Sequence, residues 1–364
     1  MNIQAQAGTL ASALALVTAA AAKNKMGTVQ VTAATNTLTF TGTNQNMTLA
    51  AKLAALVLEP GEIAVSGDRL AALVGGFGKA AALDISTDGS RVLIANGARG
   101  YRLPTVPAAD VLTALALDGE NGRLEIGGAD LLRLLEPLEA TDHDTARYYL
   151  GGVFWHTVEN TLVATGTNGK CLIRCIIPAG TFSSDRDLVV PAAAIGVLRK
   201  IERIARPASV TLRRSRTLLA VECGAFEFVT RLINVVYPAY ETVIPPSSAN
   251  AVICNREELF GALTRLIAVA TSTAPLLALS WGEGGSLNLS LARQPDAGAD
   301  IIGGGASGAA RFAAPIDQVA AMLAELRGQD IRLEYSEGRP LVMKSENTEQ
   351  KIALVMPAAW NFDV

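Results

Sequence analysis

Two histidines, His143 and His156, are all that the 364 residues contain, and this scarcity narrows the chemistry open to the chain. Nucleophilic catalysis needs a base beside the nucleophile, and no Gly-x-Ser-x-Gly elbow is present to use either imidazole. His143 falls in a loop between Asp142 and Asp144, and His156 follows Trp155 on a strand, where it is expected to face solvent. The four cysteines, Cys171, Cys175, Cys223 and Cys254, fit no zinc spacing and are expected to be small, reduced, largely buried thiols. The run GTNGK at 166–170 lacks the spacing of a phosphate-cradling loop, and Gly303-Gly304-Gly305 lacks a strand-to-helix context and reads as a hairpin loop. No catalytic residue, metal ligand or cofactor is therefore expected. Basic excess is missing too: 31 Lys and Arg stand against 34 Asp and Glu, for a net charge of −3. This excludes a strongly basic nucleic-acid footprint but leaves room for a few local cations that touch DNA weakly. The start, MNIQAQAGT, carries no Lys or Arg ahead of the apolar run 10–22, and that run is shorter than the roughly 20 residues of a membrane span. A soluble cytoplasmic protein is the expectation.

What is present is a repeated pattern. Half of the residues are hydrophobic and 18% are charged, enough to bury two or three domain cores. LTFTGTN at 38–44 recurs as LVATGTN at 162–168, and LNLSL at 287–291 follows about one domain length further on. A helical apolar face precedes each: Leu10, Leu14, Val17 and Ala21; then Leu131, Leu134, Leu135 and Leu138; then Leu259, Leu263, Leu266 and Ala270. A second helix follows each, over 68–77, 191–205 and 316–327, and each unit ends in alternating strands and a proline-containing exit. The chain thus reads as α+β, three similar domains of two helices on antiparallel strands, over residues 1–118, 119–246 and 247–364. Pro137 is expected to bend or end the helix that begins after Ala129, leaving 141–145 as a loop. Pro191 suits a first helical position, with Val197, Leu198, Ile201 and Ile204 on one face of its helix. Arg199, Arg203 and Arg206 lie on the other face, beside Lys200. By themselves those cations fit an ordinary solvated helix face.

Three motifs carry a resemblance. ARYYLGGVFWHTVENTLVATGTNGKCL at 146–172 is read as a loop, a strand with Leu150, Val153 and Trp155 alternating, a turn at Glu159-Asn160, and a second strand ending in a glycine bend. It resembles the R-Y-Y-L-N-G and T-L-x-x-V-A-T-D-G-H-R-L runs of the bacterial DNA polymerase III beta subunit, the DNA sliding clamp family. LINVVYPAYETVIP at 232–245 is similar to that family's L-x-x-G-x-F-P-D-Y-x-x-V-I-P, and Val355-Met356-Pro357 to its terminal V-M-P.

The resemblance implies a head-to-tail homodimeric ring that encircles double-stranded DNA without sequence preference. Its cations would be Arg199, Lys200, Arg203 and Arg206, joined by Arg133, Arg69, Lys79, Lys23 and Lys25. Arg147, Tyr148 and Tyr149 fit either a DNA-contacting loop or a packed aromatic corner. Ring closure would use sheet edges near Tyr101 and Leu103 at one end and Leu266 and Val269 at the other. A pocket for short apolar motifs of the DNA polymerase III alpha subunit, the clamp loader and other partners would comprise Leu150, Thr167, Gly169, Lys170, Cys171 and Leu172. Pro238, Thr242, Val243, Leu354, Met356 and Pro357 would complete it, although residues such as Leu172 fit a domain core equally well. Departures from the family pattern are Lys170-Cys171 for His-Arg, Thr242 for Arg, and a longer tail in which Trp360 or Phe362 is expected at the pocket rim. A clamp-fold scaffold that binds partners without encircling DNA is the alternative; a hydrolase lacks its nucleophile and base motifs.

Overall fold

Short alternating apolar runs, each closed by a turn residue, fold in one order three times: strand, helix, a group of strands, helix, three strands. The first repeat is β1 (Asn2–Gln6), α1 (Ala7–Ala21), β2 (Thr28–Ala34), β3 (Thr37–Thr43), β4 (Met47–Ala54), β5 (Leu56–Glu59) and β6 (Gly61–Ser66). It finishes with α2 (Gly67–Gly75), β7 (Ala82–Thr87), β8 (Arg91–Asn96) and β9 (Arg99–Pro104). The second is β10 (Gly122–Gly127), α3 (Gly128–Leu135), β11 (Gly152–Val158), β12 (Thr161–Thr167), β13 (Cys171–Ile177) and β14 (Leu188–Pro191). It closes with α4 (Ala192–Ala205), β15 (Ser209–Arg214), β16 (Leu218–Cys223) and β17 (Phe226–Arg231). The third is β18 (Ala251–Asn255), α5 (Arg256–Val269), β19 (Leu276–Trp281), β20 (Ser286–Leu291), β21 (Ala299–Ser307) and β22 (Ala310–Pro315). Last come α6 (Ile316–Ala324), β23 (Asp330–Glu334), β24 (Leu341–Ser345) and β25 (Lys351–Val355). This computed structural model describes all residues except 22–26, 179, 183–186, 295–296, 347–349 and 361–364, so Lys23, Lys25 and Phe362 lie outside the described residues.

The chain packs as two compact units, residues 1–132 with 179–234, and residues 133–178 with 235–364. The division runs through the middle repeat because strand pairing fuses each half of it to a neighbour. In the first unit β17 pairs antiparallel with β4, from Phe226↔Ala51 to Thr230↔Met47, giving the order β10-β15-β16-β17-β4-β3-β2-β6. A separate sheet there runs β5-β1-β7-β8-β9. In the second unit β13 pairs with β25, from Cys171↔Val355 to Cys175↔Lys351. That sheet continues β11-β12-β13-β25-β24-β23-β18-β21-β20-β19-β22.

Local chemistry explains the repetition. The β2–β3 and β11–β12 hairpins turn on Thr35-Asn36 and Glu159-Asn160, all with positive φ, as a two-residue turn matched to strand twist requires. In β3 and β12 the shared Thr-Gly-Thr serves close packing. A Cβ on Gly42 would stand 2.2 Å from the Val17 carbonyl oxygen, and one on Gly166 would stand 2.1 Å from that of Pro137. The predicted apolar faces are buried at Leu10, Leu14, Val17, Ala21, Leu131, Leu134, Leu135, Leu259, Leu263 and Leu266. Pro137 acts as expected: α3 stops at Leu135 and a 3-10 turn takes over at Glu136–Ala140.

Several expectations are corrected. Pro191 precedes its helix rather than opening it, with φ −56 and ψ 141. Ile204 is 43% exposed, so the apolar face of α4 ends at Ile201. Gly303-Gly304-Gly305 is not a hairpin loop but the middle of β21, where β18 comes so close that a Cβ on Gly304 would lie 2.4 Å from the Ile253 carbonyl oxygen. Leu150 lies in a 3-10 turn, Thr145–Leu150, ahead of the strand.

Candidate functional site

The β12–β13 bend is the centre of the predicted pocket, and its own side chains lock it. The Thr167 hydroxyl donates to the Cys171 carbonyl at 2.7 Å and accepts from the Gly169 N–H at 3.1 Å. Asn168 Oδ1 accepts from the N–H groups of Lys170 and Cys171, each at 2.9 Å, around Gly169 at φ +81. Arg147 donates to the Asn168 carbonyl at 3.0 Å and pairs with the buried Asp142 at 2.8 Å. The Lys170 carbonyl accepts from the Met356 N–H at 2.8 Å, and Leu172 stands opposite Leu354 in the ladder. Thr167, Gly169, Lys170, Cys171, Met356 and Pro357 are thereby brought together on one sheet end. Leu172 and Leu354 are each only 2% exposed and Leu150 is buried, so all three serve the core.

The remaining predicted residues, Pro238, Thr242 and Val243, are exposed on a segment held by two buried tyrosines. Tyr237 stacks on Phe154, with ring centroids 4.5 Å apart and planes 6° apart, and lies beside the Thr167 backbone. Tyr240 places its hydroxyl 3.0 Å from His156 Nε2. Burial pushes the Tyr240 phenol up to about 12 and raises that of Tyr237 further, so both stay neutral. These anchors were missed from the sequence, and His156 is corrected from solvent-facing to buried. The first five residues of β11 are all buried, so this strand is covered on both faces and period-two alternation says nothing about which way a side chain points. A tyrosine on each side of a turn proline, Tyr237 directly before Pro238 and Tyr240 two residues after it, was the available signal. Cys171 lies 3.7 Å from Gln318 Oε1, and burial, then the charge of Asp317, pushes its thiol up to about 12. All four cysteines are free and buried. Among the described residues no group of three His, Cys, Asp or Glu could hold a metal, and no helix is long and apolar enough to cross a membrane.

The predicted cations divide. In the first unit Lys200 and Arg203 are exposed on α4, Arg69 is exposed on α2, Lys79 is exposed after it, and Arg199 is half-buried. Arg206 is corrected from the helix face: it lies past the end of α4 at φ +41, its N–H bonded to the Glu202 carbonyl. In the second unit Arg133 is half-buried, Arg147 is held by Asp142 and Asn168, and Tyr148 is 62% exposed, packing edge-on against Tyr149.

Two sheet edges complete the inventory. In the first unit β9 ends its sheet, with Tyr101 exposed and packed against Phe77 and Leu103 half-buried. In the second unit β21 pairs with β20 over 299–303 and with β18 over 304–307, on opposite sides. Residues 299–303 therefore face no strand on the β18 side among those described. Ile301, 69% exposed, lies in this stretch and was not anticipated, because the glycine run beside it was read as a loop. Val269 is exposed near Gly298, whereas Leu266 is buried.

A threefold α+β repeat whose neighbouring members share sheets is the fold of the sliding clamps. The family model for the N-terminal domain of the DNA polymerase III beta subunit matches residues 3–111, and that for its central domain matches 131–239. The chain belongs to the DNA polymerase III beta subunit family. It is 27% identical over 225 residues to the beta sliding clamp of Escherichia coli (strain K12), covering 60% of each chain. The figure for the Caulobacter vibrioides beta sliding clamp is 27% over 241 residues, 64% of each. The matched part thus spans about 60% of the length of such relatives. The fold is shared with a sliding clamp from Bartonella birtlesii bound to griselimycin, at TM-score 0.90 and 20% identity over 99% of both chains. The Pseudomonas aeruginosa DNA polymerase III subunit beta is similar at TM-score 0.89 and 21% identity, over 98% of this chain and 100% of that one.

Proposed function

We propose that this protein is a DNA sliding clamp, a non-catalytic, cytoplasmic ring of two chains that encircles duplex DNA and tethers a polymerase. Three repeats per chain, divided at residues 118 and 246, make six around the ring. The observation that carries the reading is the pattern of strand pairing. β4 pairs with β17, and β13 pairs with β25. By position in the repeat, β21 corresponds to β4 and β13, and β9 corresponds to β17 and β25. A third pairing of the same kind, β21 of one chain with β9 of another, continues the sheet and closes two chains head to tail. Ile301, Val269, Tyr101 and Leu103 are the side chains at that contact.

Topology then holds the DNA, so the cations need only weak, sequence-independent phosphate contacts, and Lys200, Arg203 and Arg69 suit them. The exposed Met356, Val243 and Pro238, set beside the rigid 167–171 bend, suit an apolar Leu or Phe anchor of a polymerase alpha subunit or clamp loader.

The test is size by light scattering, then retention on nicked circular DNA after loading. The expected result is a dimer near twice 37.9 kDa that stays on circles and runs off once they are linearised. A chain that leaves circular and linear DNA equally fast would be a partner-binding scaffold instead.

A further inference from the structure

Each repeat hands the chain on in the same way. The Val106 N–H donates to the Ala64 carbonyl at 2.7 Å, the Ile233 N–H to the Val189 carbonyl at 2.9 Å, and the Ala358 N–H to the Ala313 carbonyl at 2.8 Å. Ala64 on β6, Val189 on β14 and Ala313 on β22 are each the third residue before the second helix of their repeat. The exit segment thus clips to an equivalent strand every time. After the first two clips the chain crosses a sheet face and sets large side chains on it: Leu115 and Leu117 against Val229, then Tyr237 on Phe154 and Tyr240 on His156. After the third clip only Ala359 and Trp360 are described, and Asn361-Phe362-Asp363-Val364 follow in the sequence.

A cleft of about 810 Å³ lies where a third crossing would run. Its floor steps from Ala313 on β22 to Ser280 on β19 and Asn288 on β20, three neighbouring strands, and half-buried Trp360 borders it. Ser280 pairs with Asn288 as His156 pairs with Val163, each one step from the pair that holds the repeated Leu287 or Leu162. Ser280 therefore holds the place that His156 holds under Tyr240. A hydroxymethyl group where the second repeat has an imidazole leaves room for a large side chain. Two strand spacings come to about 10 Å and four extended residues reach about 13 Å, so residues 361–364 are long enough to span the floor.

We propose that residues 361–364 dock in this cleft as a third crossing strap, with Phe362 over Ser280, and that the strap braces β20 against β21, the strand whose free edge receives a second chain. The bracing role rests on the reading of the protein as a ring. Two junctions between repeats are spanned by continuous chain. At the junction between chains the strap is the non-covalent counterpart of those connections, and its grip sets how readily the ring opens.

The experiment replaces Phe362 in the full chain by the photoreactive p-benzoylphenylalanine and maps its cross-links by mass spectrometry. They should fall within the same chain, on the β19–β20 hairpin at 276–291. Cross-links to 236–243, beside the motif pocket, or to another chain, or none at all, overturn the inference. Subunit exchange between two fluorescently labelled pools then tests the brace. Deletion of residues 361–364 and Phe362→Ala should each speed exchange about fivefold. Exchange as slow as that of the full chain in both variants overturns the bracing role. A full chain that is monomeric overturns the ring reading, and the cross-link then decides the strap by itself.

Discussion

The two places where one repeat is sewn to the next use the same backbone device and opposite side-chain chemistry. In the first unit the β4–β17 seam lies under the connecting segment, where Leu115 and Leu117 pack on Leu218, Ala220 and Val229. A hydrogen bond from the Leu115 N–H to Thr48 Oγ1 at 2.7 Å fixes its register. The ion pair across that seam, Lys52 to Glu227 at 3.4 Å, is exposed and adds little. In the second unit the β13–β25 seam is held by ions. Glu136, 8% exposed, lies 3.0 Å from Lys351 and 3.4 Å from Arg327. The connecting segment there is clasped by Glu334, 3% exposed, which accepts from Arg332 at 2.6 Å, Lys344 at 3.1 Å and the Ser248 N–H at 3.4 Å. Apolar cover is indifferent to protonation, whereas the Glu334 carboxylate, set between Arg332 and Lys344, is not. One family of seams therefore yields one pH-tolerant and one pH-sensitive junction.

Glu136→Ala should break the comparison most sharply. It removes the carboxylate that Lys351 of β25 meets at 3.0 Å, leaving that lysine only Glu325 at 3.6 Å as an ionic partner among the described residues, and should cost about 3 kcal/mol, read as a lower urea midpoint for the second unit. Glu334→Gln should cost about 2 kcal/mol at neutral pH. Its pH dependence has a definite sign. Burial alone would raise the Glu334 carboxyl, but Arg332, Lys344 and the Ser248 N–H outweigh it and hold it below the usual range. Its folded value thus lies below its unfolded one. The stabilisation is complete above the ordinary carboxylate pKa and is lost as pH falls through the lowered value. Calorimetry at about pH 7 and about pH 4 should show the second unit losing stability in wild type and losing less in Glu334→Gln; equal losses would remove the contrast between the seams. Leu117→Ala should have the smallest effect, about 1 kcal/mol in the first unit at either pH, since Leu117 is only half-buried.

Much of this was legible in the residues. Thr-Gly-Thr at two places announced equivalent strands because the glycine is forced by a helix or turn carbonyl some 2 Å from where a Cβ would sit. The leucine faces of α1, α3 and α5 were readable because one side of each helix meets a sheet. His156 and Ile204 were not, because period alone cannot tell a strand buried on both faces, or a helix end that has run past its sheet. The bend at 167–171 was found through its glycine and asparagine, but its anchors, Tyr237 and Tyr240, depend on contacts with Phe154 and His156 more than 80 residues away. The glycines of β21 concealed a sheet edge for the opposite reason: a residue that usually marks a loop was placed in a strand for clearance.

The division into two units has a spectroscopic consequence. The sequence holds three tryptophans, Trp155, Trp281 and Trp360, and all lie in the second unit. Of its six tyrosines only Tyr101 lies in the first. Indole emission therefore follows one unit alone, and a single phenol, at the edge where a second chain is proposed to join, is the only such group that the other contributes. Light absorbed at the red edge of the aromatic band watches the second unit unfold while the first stays dark.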